Sequence, residues 1–183
     1  MRLALAMVLA AAPAMADPLG LVDYDALIDA NMDRAREAWG GNRVITFEDG
    51  TEVIFSANGI IRTREASDRY SIGCLALTLA QISAVARTCP GVVGPGDADH
   101  VDTAIGAMIP VYANSIRPEP ADPEEVGRRF EELVQRVRAS EEFSCLLSPQ
   151  FYDALGTLTA PGARSRVEDW LTPPRLPVDE PCY

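Results

Sequence analysis

A chain of 183 residues with 27 acidic and 16 basic side chains carries a formal net charge of −11 at neutral pH, and 48% of it is hydrophobic. That length supports one domain with a real core. The acidity argues against nucleic acid and anionic membrane surfaces as partners, because both need basic patches.

Residues 1–16, MRLALAMVLAAAPAMA, place one positive charge at Arg2 ahead of an apolar run from Leu3 to Ala12. Pro13 breaks the run and Ala14, Met15 and Ala16 satisfy the small-x-small rule, so a secretory signal peptide cleaved after Ala16 is expected. The run is shorter than the ~20 residues a spanning helix needs. No later segment is longer and equally apolar, so stable membrane insertion is not expected. All sixteen cations are arginine, as GC-rich bacterial coding favours. Residues 17–183 are therefore expected to form a single periplasmic or secreted domain.

From Asp23 to Trp39, the positions Tyr24, Leu27, Ile28, Ala35, Ala38 and Trp39 share a helical face, with Gly40 and Gly41 as its stop. On the other side Asp25, Asp29, Asp33 and Glu37 recur at i, i+4 and would stack into an acidic stripe. A solvated face is the ordinary outcome on an acidic protein; docking of a basic partner or collecting a divalent cation are the functional alternatives.

The stretch RVITFEDGTEVIFSANGIIRTRE follows. Asp49-Gly50 and Asn58-Gly59 read as two-residue hairpin turns, which predicts a three-stranded meander. Pairing outward from those turns puts Ile45, Phe47, Ile54, Ile61 and Thr63 on one face. Val44, Thr46, Val53, Phe55, Arg62 and Arg64 share the other, expected to be a partly open face on which an arginine could stack over Phe55 in a cation–π contact.

Ile72 to Pro90 is the longest apolar run after the leader. Ile72, Leu75, Leu79, Ile82 and Val85 recur at helical spacing. Four cysteines in an exported chain point to two disulfides among Cys74, Cys89, Cys145 and Cys182. One helix over 72–88 sets Cys74 and Cys89 about 22 Å apart at ~1.5 Å per residue, beyond the ~7 Å a disulfide tolerates. That favours the two long-range pairings with Cys145 and Cys182. A strand pair there would instead give Cys74–Cys89 and Cys145–Cys182.

The segment Asp97, Asp99, His100 and Asp102 gathers the one histidine among three acids, a set able to ligate a divalent metal. Its spacing matches neither a calcium loop nor H-E-x-x-H, and capping by Asp97 or Asp99 accounts for the acids without a metal. The helix it opens meets Pro110, expected to kink or end it. Asp122 then caps a helix with Pro123 in its first position and Val126, Phe130, Leu133, Val134 and Val137 inward. Glu124–Arg128, Glu125–Arg129 and Glu132–Arg136 are its i, i+4 pairs. Ser148-Pro149 opens another helix and Val167, Trp170 and Leu171 a short last one. The proline-rich tail over 173–183 should be tied down, with a Pro174-x-x-Pro177 docking motif as the alternative.

The expected fold is α+β and predominantly helical: about five helices packed on a small three-stranded antiparallel β-meander, stapled by two disulfides. There is no nucleophile elbow, C-x-x-C, phosphate loop or dinucleotide fingerprint, and no cofactor is expected. A non-catalytic binding or interaction protein of the bacterial envelope, partnered by another envelope or secreted protein, is the first expectation. A small hydrolase using paired carboxylates, with Glu65 and Asp68 as loose candidates, is the second. Metal or ligand binding through the Asp97/Asp99/His100/Asp102 cluster is the third. A cysteine closing one helix (ARTCPGV), two helices and a further cysteine, over residues 89–145, resembles the small exported immunity proteins that neutralise type VI secretion amidases. No site residue carries over; the resemblance implies only that an inhibitor is one form an interaction role takes.

Overall fold

The computed structural model describes residues 17–57, 59, 61–66, 70–178 and 180. The leader, Asn58, Asp68, Arg69 and Cys182 lie outside the described residues. Helix α2, Ile72–Thr88, forms as its apolar spacing predicts, with Ser71 accepting the Cys74 N–H at 3.2 Å as N-cap. Around it pack α3 (Pro95–Ser115), α4 (Pro123–Ala139), α5 (Pro149–Thr159) and α6 (Ala163–Leu171). Leu75, Leu79 and Ile82 meet Met108, Tyr112, Phe130, Val134, Leu158 and Val167 in one continuous core.

Three helical expectations change in detail. Helix α3 starts at Pro95 behind Gly94, so Asp97 falls in the first turn and neither Asp97 nor Asp99 is the cap; proline's fixed φ suits a first helical position. Pro110 stays inside the helix, which runs on to Ser115. Gly106, whose carbonyl opposes the proline ring, is exposed together with Pro110, so that carbonyl is open to solvent where the helical hydrogen bond is missing. On α4, Glu125–Arg129 forms at 2.9 Å, and Arg128 pairs with Glu125 and Glu132. The expected Glu124–Arg128 and Glu132–Arg136 pairs are not made; Arg136 donates instead to the Pro18 carbonyl at 2.9 Å.

The predicted helix over 23–39 does not form. Helix α1 covers only Tyr24–Asp29, and the Asn31 side-chain amide closes it by donating to the Leu27 carbonyl at 2.9 Å. After a 3-10 turn at Met32–Arg34, Arg36–Glu37 becomes strand β1, paired with Val44 and Arg43 of β2. Asn31 and Asp33 are weak helix formers, and strand pairing overrides the local periodicity.

The sheet thus has four antiparallel strands, not three, in the order β1-β2-β3-β4, with β2 at Arg43–Thr46, β3 at Thr51–Phe55 and β4 at Ile61–Glu65. The Asp49-Gly50 turn contains three residues, not two. Phe47 and Thr51 close it (N–O 2.9 Å), Gly50 sits at φ 90°, and the Asp49 carboxylate takes the Thr51 N–H and hydroxyl at 3.0 and 2.6 Å. That extra residue shifts β3 by one and exchanges its faces. Val53 lies between Ile45 and Thr63, while Ile54 lies between Val44 and Arg62, the reverse of expectation. The cation–π contact on Phe55 is made by Arg43, its cross-strand partner, at 5.9 Å.

Ile45 and Val53 form a second core with Leu27 and Ile28 of α1 and with Leu176 and Val178 of the tail. The tail is therefore built into the fold. Pro177 is buried, which removes the Pro174-x-x-Pro177 docking motif. Asp17 anchors the other end: its buried carboxylate accepts the Leu19, Leu21 and Val22 N–H groups and the Tyr112 hydroxyl. Burial, reinforced by that carboxylate, pushes the Tyr112 hydroxyl well above its usual range.

Cys89 and Cys145 are bonded, with Cα atoms 5.7 Å apart, which excludes Cys74–Cys89. One disulfide is described where two were expected; no free thiol remains among the described cysteines. Among the described residues no helix is long and apolar enough to cross a membrane.

Candidate binding surface

Strands β1 and β2 are joined by Trp39-Gly40-Gly41-Asn42. Gly40 and Gly41 stand at φ 75° and 76°, a left-handed pair that side chains disfavour. The turn is closed by Ala38 N–H to the Asn42 carbonyl at 2.8 Å and by the Asn42 amide to the Trp39 carbonyl at 3.1 Å. Trp39 projects from this turn and is 94% exposed. Tryptophan is normally among the more buried side chains.

Below the tip, register places Arg36, Val44, Ile54 and Arg62 side by side across all four strands on the face turned away from the second core. Val44 and Ile54 are half-buried and both arginines exposed. A groove of about 670 Å³ runs between Trp39, Asn42, Ile54, Ser56 and Arg62. In the next row Arg64 is paired with Glu52 at 2.6 Å, and Glu52 also takes the Thr46 hydroxyl. Among the described residues neither Arg36 nor Arg62 has an ion-pair partner, although the chain holds 27 acids. The surface offers an aromatic anchor, an apolar strip and two uncommitted cations.

The acids proposed from sequence do not assemble. Asp25 and Asp29 lie on α1, Asp33 in the 3-10 turn and Glu37 on β1, so the i, i+4 stripe is broken with its helix. Asp97, Asp99, His100 and Asp102 lie on the first two turns of α3, where successive residues point about 100° apart. Among the described residues no three His, Cys, Asp or Glu side chains are grouped to hold a metal ion. His100 stands at the mouth of a smaller cavity, about 250 Å³, walled by Ala104, Ala107, Leu158 and Val167. Glu65, a candidate for carboxylate chemistry, is fully buried and ion-paired to Arg175 at 2.6 Å. Tyr70 stacks on Trp170 at 4.9 Å and shares a hydrogen bond with Thr78. Comparison of the chain with protein-family models, curated proteins and solved structures gave no match.

Sequence reasoning set Val44 and Arg62 on one sheet face but placed Trp39 on a buried helix face, and so did not bring the aromatic group to that surface. The signal was the W-G-G-N tetrapeptide between two strand-compatible stretches, which reads as a hairpin once the glycines are taken as turn residues rather than a helix stop.

Proposed function

We propose that the chain is an exported, disulfide-stabilised, non-catalytic interaction protein of the bacterial envelope that docks another envelope or secreted protein through the Trp39 face. The observation that carries this is Trp39 itself, 94% exposed on a hydrogen-bonded Gly-Gly turn over a half-apolar strand row. A solvent-facing tryptophan flanked by arginines has the composition of an interface hot spot. Export rests on the leader pattern of residues 1–16 and agrees with the Cys89–Cys145 bond.

Affinity capture from the organism's own envelope extract tests the role. The mature protein is expected to recover one stoichiometric partner, and Trp39→Ala to weaken that complex by about 2 kcal/mol or more, roughly thirty-fold. The variant should keep its melting temperature, because an exposed side chain contributes little to folding. Equal recovery by both proteins, or none by either, sinks the docking role.

A second disulfide, Cys74–Cys182, completes the proposal. The tail reaches α2 beside Cys74, where the Ser71 hydroxyl donates to the Val178 carbonyl, four residues before Cys182. Non-reducing peptide mapping should recover a Cys74–Cys182 linked peptide. Recovery of Cys182 as a free thiol would contradict it.

A further inference from the structure

The chemistry of the partner follows from the spacing of the two free arginines, granted the docking role proposed above. Arg36 and Arg62 stand at opposite ends of one cross-strand row. Neighbouring strands lie about 4.8 Å apart, so three steps separate their backbones by about 14 Å. Between them Val44 and Ile54 form an apolar seat, with Trp39 rising above one side. The acids of this row's surroundings are spent elsewhere: Glu52 holds Arg64, and Glu37 belongs to the opposite face of β1.

An extended peptide rises about 3.4 Å per residue and returns a side chain to the same face every second residue. Its residues i and i+4 are therefore about 14 Å apart on one face, with i+2 midway. A helix fits less closely, because its same-face positions i+7 and i+11 rise about 10.5 and 16.5 Å, one short of the span and one beyond it. We infer that this face takes an extended acidic segment of a partner protein, with carboxylates four residues apart and a large apolar side chain between them. The carboxylates meet Arg36 and Arg62 in charge-assisted hydrogen bonds. The central side chain sits on Val44 and Ile54 against Trp39. On a chain of net charge −11, such a row also confers selectivity, since other acidic surfaces are repelled.

The probe is a capped, fluorescently labelled synthetic peptide of glycine and serine carrying two aspartates four residues apart and a leucine midway, titrated with the mature protein. Binding is expected to weaken at least about tenfold when the aspartates are changed to lysine or moved to two residues apart. It should weaken about as much in Arg36→Glu/Arg62→Glu, and should fall as salt rises. Circular dichroism on this variant and on Arg36→Ser/Arg62→Ser confirms that the sheet is retained. Equal binding of the lysine peptide, no binding of the aspartate peptide at millimolar protein, or tighter binding to anionic phospholipid vesicles would each overturn the inference. A captured partner that needs Trp39 but ignores both arginine variants leaves the docking face standing and refutes the acidic strand alone. A partner indifferent to all three positions refutes both.

Discussion

Arg175→Ala is expected to destabilise the protein by about 3–5 kcal/mol in equilibrium urea denaturation, the range for removing one member of a buried ion pair. Arg175 is fully buried. Its Nε donates to Glu65 on β4 at 2.6 Å, Nη2 to the carbonyls of Tyr70 and Trp170 at 2.8 and 2.9 Å, and Nη1 to the Pro173 carbonyl at 3.2 Å. One planar fork thus joins the end of the sheet, the approach to α2, the last turn of α6 and the tail. Alanine takes the cation from a carboxylate that is itself out of water and removes the donors from three carbonyls. Lysine should rescue little, because a single ammonium cannot span those directions. The double variant Glu65→Leu/Arg175→Met should recover part of the loss, since exchanging both charges for apolar groups removes the uncompensated carboxylate while the three carbonyls stay without donors. A single-variant loss below about 1 kcal/mol would mean that the guanidinium is not the junction described.

That junction explains why the Trp39 face is open. The sheet has one face sealed by α1 and by Leu176 and Val178 of the tail, while all five long helices are engaged with one another in the larger core. Among the described residues no element is left to cover Val44 and Ile54. The tail and Arg175 hold the sheet against the helices at a fixed angle, so the open face is presented on a rigid support, the condition for low-entropy binding.

What was legible in the sequence followed from strong local signals. The spacing of Ile72, Leu75, Leu79 and Ile82 announced α2, and Asp122-Pro123 and Ser148-Pro149 marked the starts of α4 and α5, because caps and apolar stripes are short-range physics. The helix in turn excluded Cys74–Cys89 by distance alone. The misreadings share the opposite cause. A three-residue turn at Glu48–Gly50 differs from a two-residue one by a single backbone hydrogen-bond choice, yet it exchanges Val53 and Ile54 between core and solvent. Residues Arg36 and Glu37 become a strand only because Val44 and Arg43 are there to pair with them. Arg175 gave no local sign of burial, since its partners lie up to 110 residues away. The binding surface was legible only in part: Val44 and Arg62 fell on one face, but Arg36 and Ile54 join them only through the ladder.

Gly73→Ala should be destabilising although it replaces glycine by a better helix former. In an unobstructed helix that change gains up to about 1 kcal/mol. At Gly73 an added Cβ would lie 2.3 Å from the Val178 carbonyl oxygen, 2.7 Å from its carbon and 3.1 Å from Pro18. The first two contacts are main chain and cannot rotate aside, so the tail must leave its seat. Leu176 and Val178 then lose burial worth about 1.5–3 kcal/mol each, and the Ser71 hydrogen bond goes with them. A net loss of about 3 kcal/mol or more is expected. Amide exchange should locate it: the Leu176 N–H, held by Asp49 at 3.1 Å, and the Glu65 N–H, held by the Glu180 carbonyl at 2.8 Å, should lose protection before the middle of α2 does. Gly96→Ala is the matched control. Gly96 occupies the same second position in α3 and has nothing within 4 Å of its would-be Cβ, so there the substitution should stabilise. Opposite signs at two equivalent helical positions can arise only from what packs against them. Equal signs would mean that the tail is not seated on α2, and the rigid support for the Trp39 face would be lost with it.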